Sequence, residues 1–231
     1  MFIKMMRTEN INTMNKEKKY TTVIFDLDGT LLNTLEDLHD SVNFALEEAD
    51  MPLRTLEEVR RFVGNGVMRL MELAIPEGRD NPRFEEVLEA FKKHYSLHCN
   101  DKTGLYPHVK ELLQGLKERG YRMAIVSNKY YDAVQDLKDQ YFAEYIRTAI
   151  GERENLARKP APDTVIEALR LLGSMKEESV YVGDSEVDIA TAHNVGMDCI
   201  AVTWGFRTKK EQEEAGGKVF ADDPLEILDL V

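Results

Sequence analysis

The sequence predicts an α/β protein with a mostly parallel sheet and an all-helical insert after its first strand. Three observations predict it. Short apolar, β-branched runs recur, and each ends in turn or polar residues. Helical patterns lie between these runs and stop on glycine. Residues 35–104 break the alternation, with about four helical segments and no convincing strand.

Residues 1–19 are polar and charged, without an apolar run of signal-peptide length. They read as a flexible tail or an over-extended start, with Met14 a candidate beginning. The first strand is TTVIFD (21–26). The helical insert follows, and LYPHV (105–109) restores the strand–helix rhythm. Further strands are expected at YRMAIVS (121–127), SVYVGD (179–184) and DCIAV (198–202), with a weaker one at RTAIG (147–151). Helices are expected at 109–120, 162–173 and 186–196, ending on Gly120, Gly173 and Gly196. Strands alternating with helices of this length imply right-handed crossovers and a parallel sheet. The core is therefore placed at 20–33 and 105–231, and the insert at 34–104.

A chain of 231 residues suits one large domain or a domain with an insert, and 43% hydrophobic residues fill a proper core. No run of eighteen apolar residues appears, so no membrane helix is expected. A net charge of −12 argues against nucleic acid and anionic lipid as partners. Two cysteines, Cys99 and Cys199, make no disulfide framework, and a reducing cytoplasm is the expected location.

Sites of parallel sheets lie beyond the carboxyl ends of the strands. Here those ends carry Asp26 and Asp28, then Ser127 and Asn128, then Asp184 with Asp188 one helical turn on. Two carboxylates two residues apart repel and resist burial. In extended chain they point the same way, toward one reaction centre, before the chain turns through Gly29 and Thr30. A Mg²⁺ ion held by Asp26, Asp28 and Asp184 would offset their repulsion. A carboxylate can attack phosphorus, and a second can move the proton of the leaving oxygen and of water. Ser127 and Asn128, read as preceding a helix, suit phosphate oxygens, and Lys159 adds positive charge.

DLDGTL (26–31), SNK (127–129), KP (159–160) and GDSEVD (183–188) resemble the four motifs of the haloacid dehalogenase superfamily of phosphohydrolases, in order and spacing. The insert resembles the small cap domain of the phosphoglycolate phosphatase-like branch. RRFVGNGVMRLMELA (60–74), LYPHVKELLQGLKERGYRMAIVSNK (105–129) and VTWGFR (202–207) resemble that branch too. His108 stands where the family more often has glycine, and Asn33 where many members have aspartate.

The resemblance implies a Rossmann-like core and Mg²⁺-dependent hydrolysis of a small phosphorylated metabolite through an aspartyl-phosphate, with phosphoglycolate as leading substrate. A hexose-phosphate mutase shares all four motifs, and a catalytically silent phospho-ligand-binding module is the reading from another class. A dehalogenase is disfavoured by Asp28. The chain is expected to be a monomer or homodimer. In the cap, Gly64, Asn65, Gly66 and Arg69 are the candidates to meet the leaving group, because glycine lets backbone approach a ligand.

Plainer readings stand beside these. Asp-Gly marks turns generally. Ser127 also reads as a helix N-cap, and Ser185 with Asp188 as a capping box. Asp188 is thus a supporting residue rather than a certain ligand. His94 and His98 have a spacing that binds zinc, but no third ligand is evident. KKEQEE (209–214) reads as a solvated helix face, and Arg60, Arg61 and Arg69 either as anion contacts or as exposed cap residues.

Overall fold

The computed structural model describes residues 19–231, so the expected tail lies, apart from Lys19, outside the described residues. The chain enters on strand β1 (Thr22–Phe25). A two-residue strand, β2 (Leu32–Asn33), leads into helices α1 (Leu35–Glu48), α2 (Leu56–Phe62), α3 (Gly66–Ala74) and α4 (Phe84–His98). Strand β3 (Gly104–Leu105) returns the chain. Helix α5 (Val109–Glu118), β4 (Arg122–Tyr130), α6 (Tyr131–Leu137), β5 (Thr148–Glu152), α7 (Asp163–Leu172) and β6 (Ser179–Gly183) follow. Helix α8 (Glu186–Val195), β7 (Asp198–Val202), α9 (Lys209–Glu214), β8 (Val219–Ala221) and α10 (Ile227–Leu230) complete it.

Six strands form one parallel sheet in the order β5-β4-β1-β6-β7-β8. Phe25 pairs with Ile125 on one side and Val182 on the other. Side chains alternate between two buried layers. Val23, Phe25, Ile125 and Val182 pack with Leu112 and Leu116 of α5. Ile24, Val126 and Tyr181 pack with Ala168 of α7 and Ala192 of α8. Burial on both faces explains why the strands read as continuous apolar runs, each such side chain contributing about 1.5–3 kcal/mol. The chain runs from β1 to β4 and β5 on one side, then to β6, β7 and β8 on the other. This reversal opens a crevice beside β1 at the strands' carboxyl ends.

Helices α1 to α4 bury a second cluster, including Leu46, Val59, Met71, Leu88 and Phe91, which Phe206 joins from beyond β7. Helix α2 starts with a capping box: Glu58 N donates to Thr55 Oγ1 (3.2 Å), and Thr55 N donates to Glu58 Oε2 (2.8 Å). The segment leaves and returns through the antiparallel pair β2–β3, where Leu32 meets Leu105 and Asn33 meets Gly104.

Three features differ from the sequence expectation. β2, β3 and β8 were not expected, because two or three residues carry no periodicity. β4 runs past Ser127 to Tyr130, with a register shift against β5. Ser127 therefore lies within a strand and does not cap α6, which begins at Tyr131 with no side-chain cap. His108 adopts φ 64°, a left-handed conformation that glycine takes more easily. Its ring Nδ1 hydrogen-bonds Asp223 Oδ2 at 2.6 Å. Among the described residues no helix is long and apolar enough to cross a membrane. Both cysteines are free.

Buried Asp37 of α1 ties the two connecting segments together. It accepts Lys102 N at 2.9 and 3.1 Å and Thr103 N at 2.8 Å. Asp37→Ala leaves those amides without their acceptor. We expect a loss of about 2–3 kcal/mol in urea unfolding, whereas a change within about 0.5 kcal/mol would show that the joint bears no load.

Candidate active site

A partly open cavity lies at the carboxyl ends of β4, β1 and β6. Asp26, Asp28, Ser127, Asn128, Lys159 and Asp184 all line it, so the crevice gathers the separate sequence motifs. Helices α1, α3 and α4 cover it with Leu38, Val67, Leu70 and Tyr95.

Lys159 organises the base of the cavity. Its ammonium donates to Asp26 Oδ1 (2.7 Å), Asp188 Oδ1 (2.8 Å) and the Tyr181 hydroxyl (3.1 Å). Burial alone would strip its proton, but Asp188 and Asp26 outweigh that and hold it charged. Burial pushes Asp26 well above the usual carboxylate range, and Asp188 adds to the push while Lys159 opposes it. Asp26 Oδ2 accepts no hydrogen bond among the described residues.

Asp188 has both oxygens engaged. Oδ1 takes Lys159 and Tyr181, and Oδ2 takes the Ser185 amide (3.1 Å) and hydroxyl (2.6 Å). Asp184 accepts Phe206 N at 2.6 Å and Thr30 Oγ1 at 3.3 Å. Gly29 turns against it at φ +85°, where a Cβ would stand 2.5 Å from Asp184 Oδ2. A side chain there would displace the carboxylate.

Carboxylate oxygens of Asp26, Asp184 and Asp188 lie within 4.8 Å of one another. Three acidic side chains gather near one ammonium, and a divalent cation would cancel the surplus negative charge of their ionised forms. The residues fit a hard cation with few protein ligands. Asp26 and Asp184 are the side chains with capacity to spare.

Asp28 departs from the expected ligand set. β1 ends at Phe25, so strand alternation does not carry through to Asp28. Its carboxylate lies outside the acidic cluster and accepts Thr34 Oγ1 (2.8 Å), Lys129 Nζ (3.3 Å) and, weakly, Ser127 Oγ (3.4 Å). Ser127 Oγ also accepts Lys129 N (3.2 Å). The Asn128 amide nitrogen donates to the carbonyls of Gly64 (3.1 Å) and Lys159 (3.0 Å). Asn128 thus joins the covering loop to the core. The helix after this strand begins only at Tyr131, so its N-terminus is not beside Ser127.

Of the covering residues, Gly64 and Gly66 line the cavity, but Asn65 and Arg69 do not. Arg69 is exposed and pairs with Glu72 (3.1 Å), while Arg60 and Arg61 pair with Glu57 (2.7 and 2.9 Å). Arg61 and Arg69 are ordinary surface residues, and Arg60 is half-buried. His94 and His98 stack at 4.3 Å and bond Ser41 and Asp101, away from any metal-like cluster among the described residues.

Three lining residues escaped the sequence reading. Lys129 sat inside the quoted SNK and Arg207 inside VTWGFR, each without an assigned role. Tyr95 looked like any helix residue. Arg207 reaches from the core to the C-terminal end of α2. It donates to the carbonyls of Val63 (2.7 Å), Arg60 (3.0 Å) and Arg61 (3.4 Å) and pairs with Glu186 (2.8 Å). A guanidinium there satisfies carbonyls that the helix end leaves open.

The pattern of the haloacid dehalogenase-like hydrolases matches residues 23–202. A phosphoglycolate phosphatase of Pseudomonas syringae pv. syringae is 31% identical over 212 residues, covering 89% of this chain and 78% of the relative. One from Cereibacter sphaeroides is 36% identical over 189 residues, covering 80% and 86%. A solved structure from Lactobacillus delbrueckii subsp. bulgaricus, provisionally described as a phosphoglycolate phosphatase, superposes with a TM-score of 0.88. It is 36% identical and covers 92% of this chain and 98% of its own. The chain belongs to the haloacid dehalogenase-like hydrolases. Within that family it is a phosphatase, an enzyme that hydrolyses phosphoric monoesters.

Burial first, and then the charge of Asp188, push Asp184 from 3.8 up to about 7. The folded chain therefore keeps a proton that the unfolded chain releases above pH 4. The stability Asp184 contributes is full below about pH 4 and is lost as pH rises through 7. In chelator, wild type should lose about 2–4 kcal/mol more than Asp184→Asn between pH 4.5 and 7.5 in urea unfolding. Parallel curves would show that Asp184 titrates normally.

Proposed function

We propose that this phosphatase uses Mg²⁺ and an aspartyl-phosphate on Asp26 to hydrolyse a small phosphomonoester, phosphoglycolate before others. The observation that carries the proposal is the state of Asp26. One oxygen is held by Lys159, the other accepts no hydrogen bond among the described residues, and Asp184 stands beside it. The names of the relatives support phosphoglycolate.

In the first step Asp26 Oδ2 attacks phosphorus, the bond from phosphorus to the leaving oxygen breaks, and Asp28 gives that oxygen a proton. In the second, Asp28 takes a proton from water, the oxygen of water attacks phosphorus, and the bond to Asp26 breaks to release phosphate. Ser127 would bind and orient the phosphoryl oxygens, while Lys159, its three donors engaged, orients Asp26 and sets its positive charge beside the transferring group. Asn128, the other expected phosphate contact, holds the Gly64 carbonyl and so positions the covering loop. Asp26 and Asp184 would hold Mg²⁺, which supplies positive charge against the charge on the transferring group.

Residues 34–104 serve as a cap that excludes water, over a core of 20–33 and 105–231. A cavity roofed by Leu38, Val67, Leu70 and Tyr95 favours a small metabolite over a folded phosphoprotein. We place the enzyme in the cytoplasm, as a monomer or homodimer.

With phosphoglycolate and Mg²⁺ the enzyme should release inorganic phosphate to water. EDTA should abolish the release and added Mg²⁺ restore it, and a folded phosphoprotein should be a poor substrate. Full turnover after thorough chelation would refute the metal-assisted reading. Transfer to a sugar phosphate without release to water would mark a mutase.

A further inference from the structure

The cavity has two unlike sides. At its base Lys159 binds Asp26 and Asp188. Toward the cap the walls are Leu38, Val67 and Leu70, with Tyr95 of α4 among them. Lys129 stands between this apolar side and Asp28. Its side chain is only 3% exposed. Its ammonium donates to Asp28 Oδ1 at 3.3 Å and to the Tyr95 hydroxyl, and lies 4.6 Å from the Tyr95 ring centre. Burial works against its charge, but Asp28 and Tyr95 hold the proton in place.

Two donors on this side have no acceptor. An ammonium carries three N–H groups, and Lys129 finds two partners among the described residues. The Tyr95 hydroxyl accepts from Lys129, and its own proton meets no acceptor among them. Burial keeps that phenol protonated by raising its pKa. The neighbouring arginines are committed elsewhere. Arg207 is spent on three carbonyls and Glu186, half-buried Arg60 and exposed Arg61 pair with Glu57, and exposed Arg69 pairs with Glu72. Asp28 compensates the charge of Lys129, but a buried ammonium N–H and a buried phenol proton left without acceptors cost free energy that an arriving acceptor recovers.

We propose that Lys129 and Tyr95 together receive a carboxylate on the leaving group, and so select phosphomonoesters of short hydroxy acids. The two oxygens of a carboxylate take the two free donors in charge-assisted bonds. Lys129 touches Asp28, the group assigned to the leaving oxygen, so the carboxylate lies a short reach from the ester. This inference rests on the phosphatase reading of the same site and adds the residues that choose the substrate.

The test compares phosphoglycolate with 2-hydroxyethyl phosphate, an ester of similar size with an uncharged leaving group. Wild type should prefer phosphoglycolate. Lys129→Met should lower kcat/KM about 100-fold on phosphoglycolate and less than about 10-fold on the neutral ester. Tyr95→Phe, which keeps the ring and the packing, should lower the preference about 10-fold. Should Lys129→Met fail to fold, Tyr95→Phe and product inhibition of wild type still decide: glycolate should compete and 1,2-ethanediol should not. Equal losses on both esters would overturn the inference, since Lys129 would then act through Asp28 alone. A wild type without preference would also overturn it while leaving the phosphatase reading intact. Failure on both esters with Mg²⁺ would remove that reading as well.

Discussion

A lysine ammonium buried among carboxylates holds this site together. Lys159 reaches Asp26 at the end of β1, Asp188 in α8 and Tyr181 on β6, and so binds three elements to one point. Removing one member of such a group leaves the others buried without compensation, at a cost of about 3–5 kcal/mol. The same contact orients Asp26, leaving one oxygen free over the cavity. Structural and chemical demands therefore fall on one side chain. Burial and Asp188 hold the proton on Asp184, and a divalent cation there would favour its charged form instead.

Around this base, three core residues reach to the covering helices. Arg207 caps the carbonyls ending α2, Asn128 holds the Gly64 carbonyl, and Lys129 meets Tyr95. Each contact depends on backbone or side-chain placement in the covering segment, so the cavity is complete only when that segment is seated. Asp26 and Lys129 stand in the sheet core and Tyr95 in the covering segment, and β2–β3 links the two.

The sheet was legible because its strands are buried on both faces. Runs such as TTVIF and SVYV have no other natural reading, and the helices between them stop at glycine. Asp26 and Asp184 were legible at the ends of apolar strand runs, and Lys159 beside Pro160 just ahead of a helix, because the separate motifs occur together in order and spacing. What failed was geometry beyond the strand. Asp28 does line the same cavity as Asp26, but β1 ends at Phe25, and the turn pairs its carboxylate with Thr34 and Lys129 outside the acidic cluster. Ser127 looked like a helix cap because nothing in SNKYY marks a strand running on to Tyr130. Lys129, Tyr95 and Arg207 were invisible because their partners are 21 residues away or more, or backbone carbonyls that no motif records.

The central claim is that Asp26 carries the phosphoryl group. It is tested most directly by acid-quenching the enzyme with labelled substrate and locating the label by digestion. We expect label on the peptide containing Asp26, and none on the Asp26→Asn variant. Label on another residue, or retained by Asp26→Asn, would contradict the account.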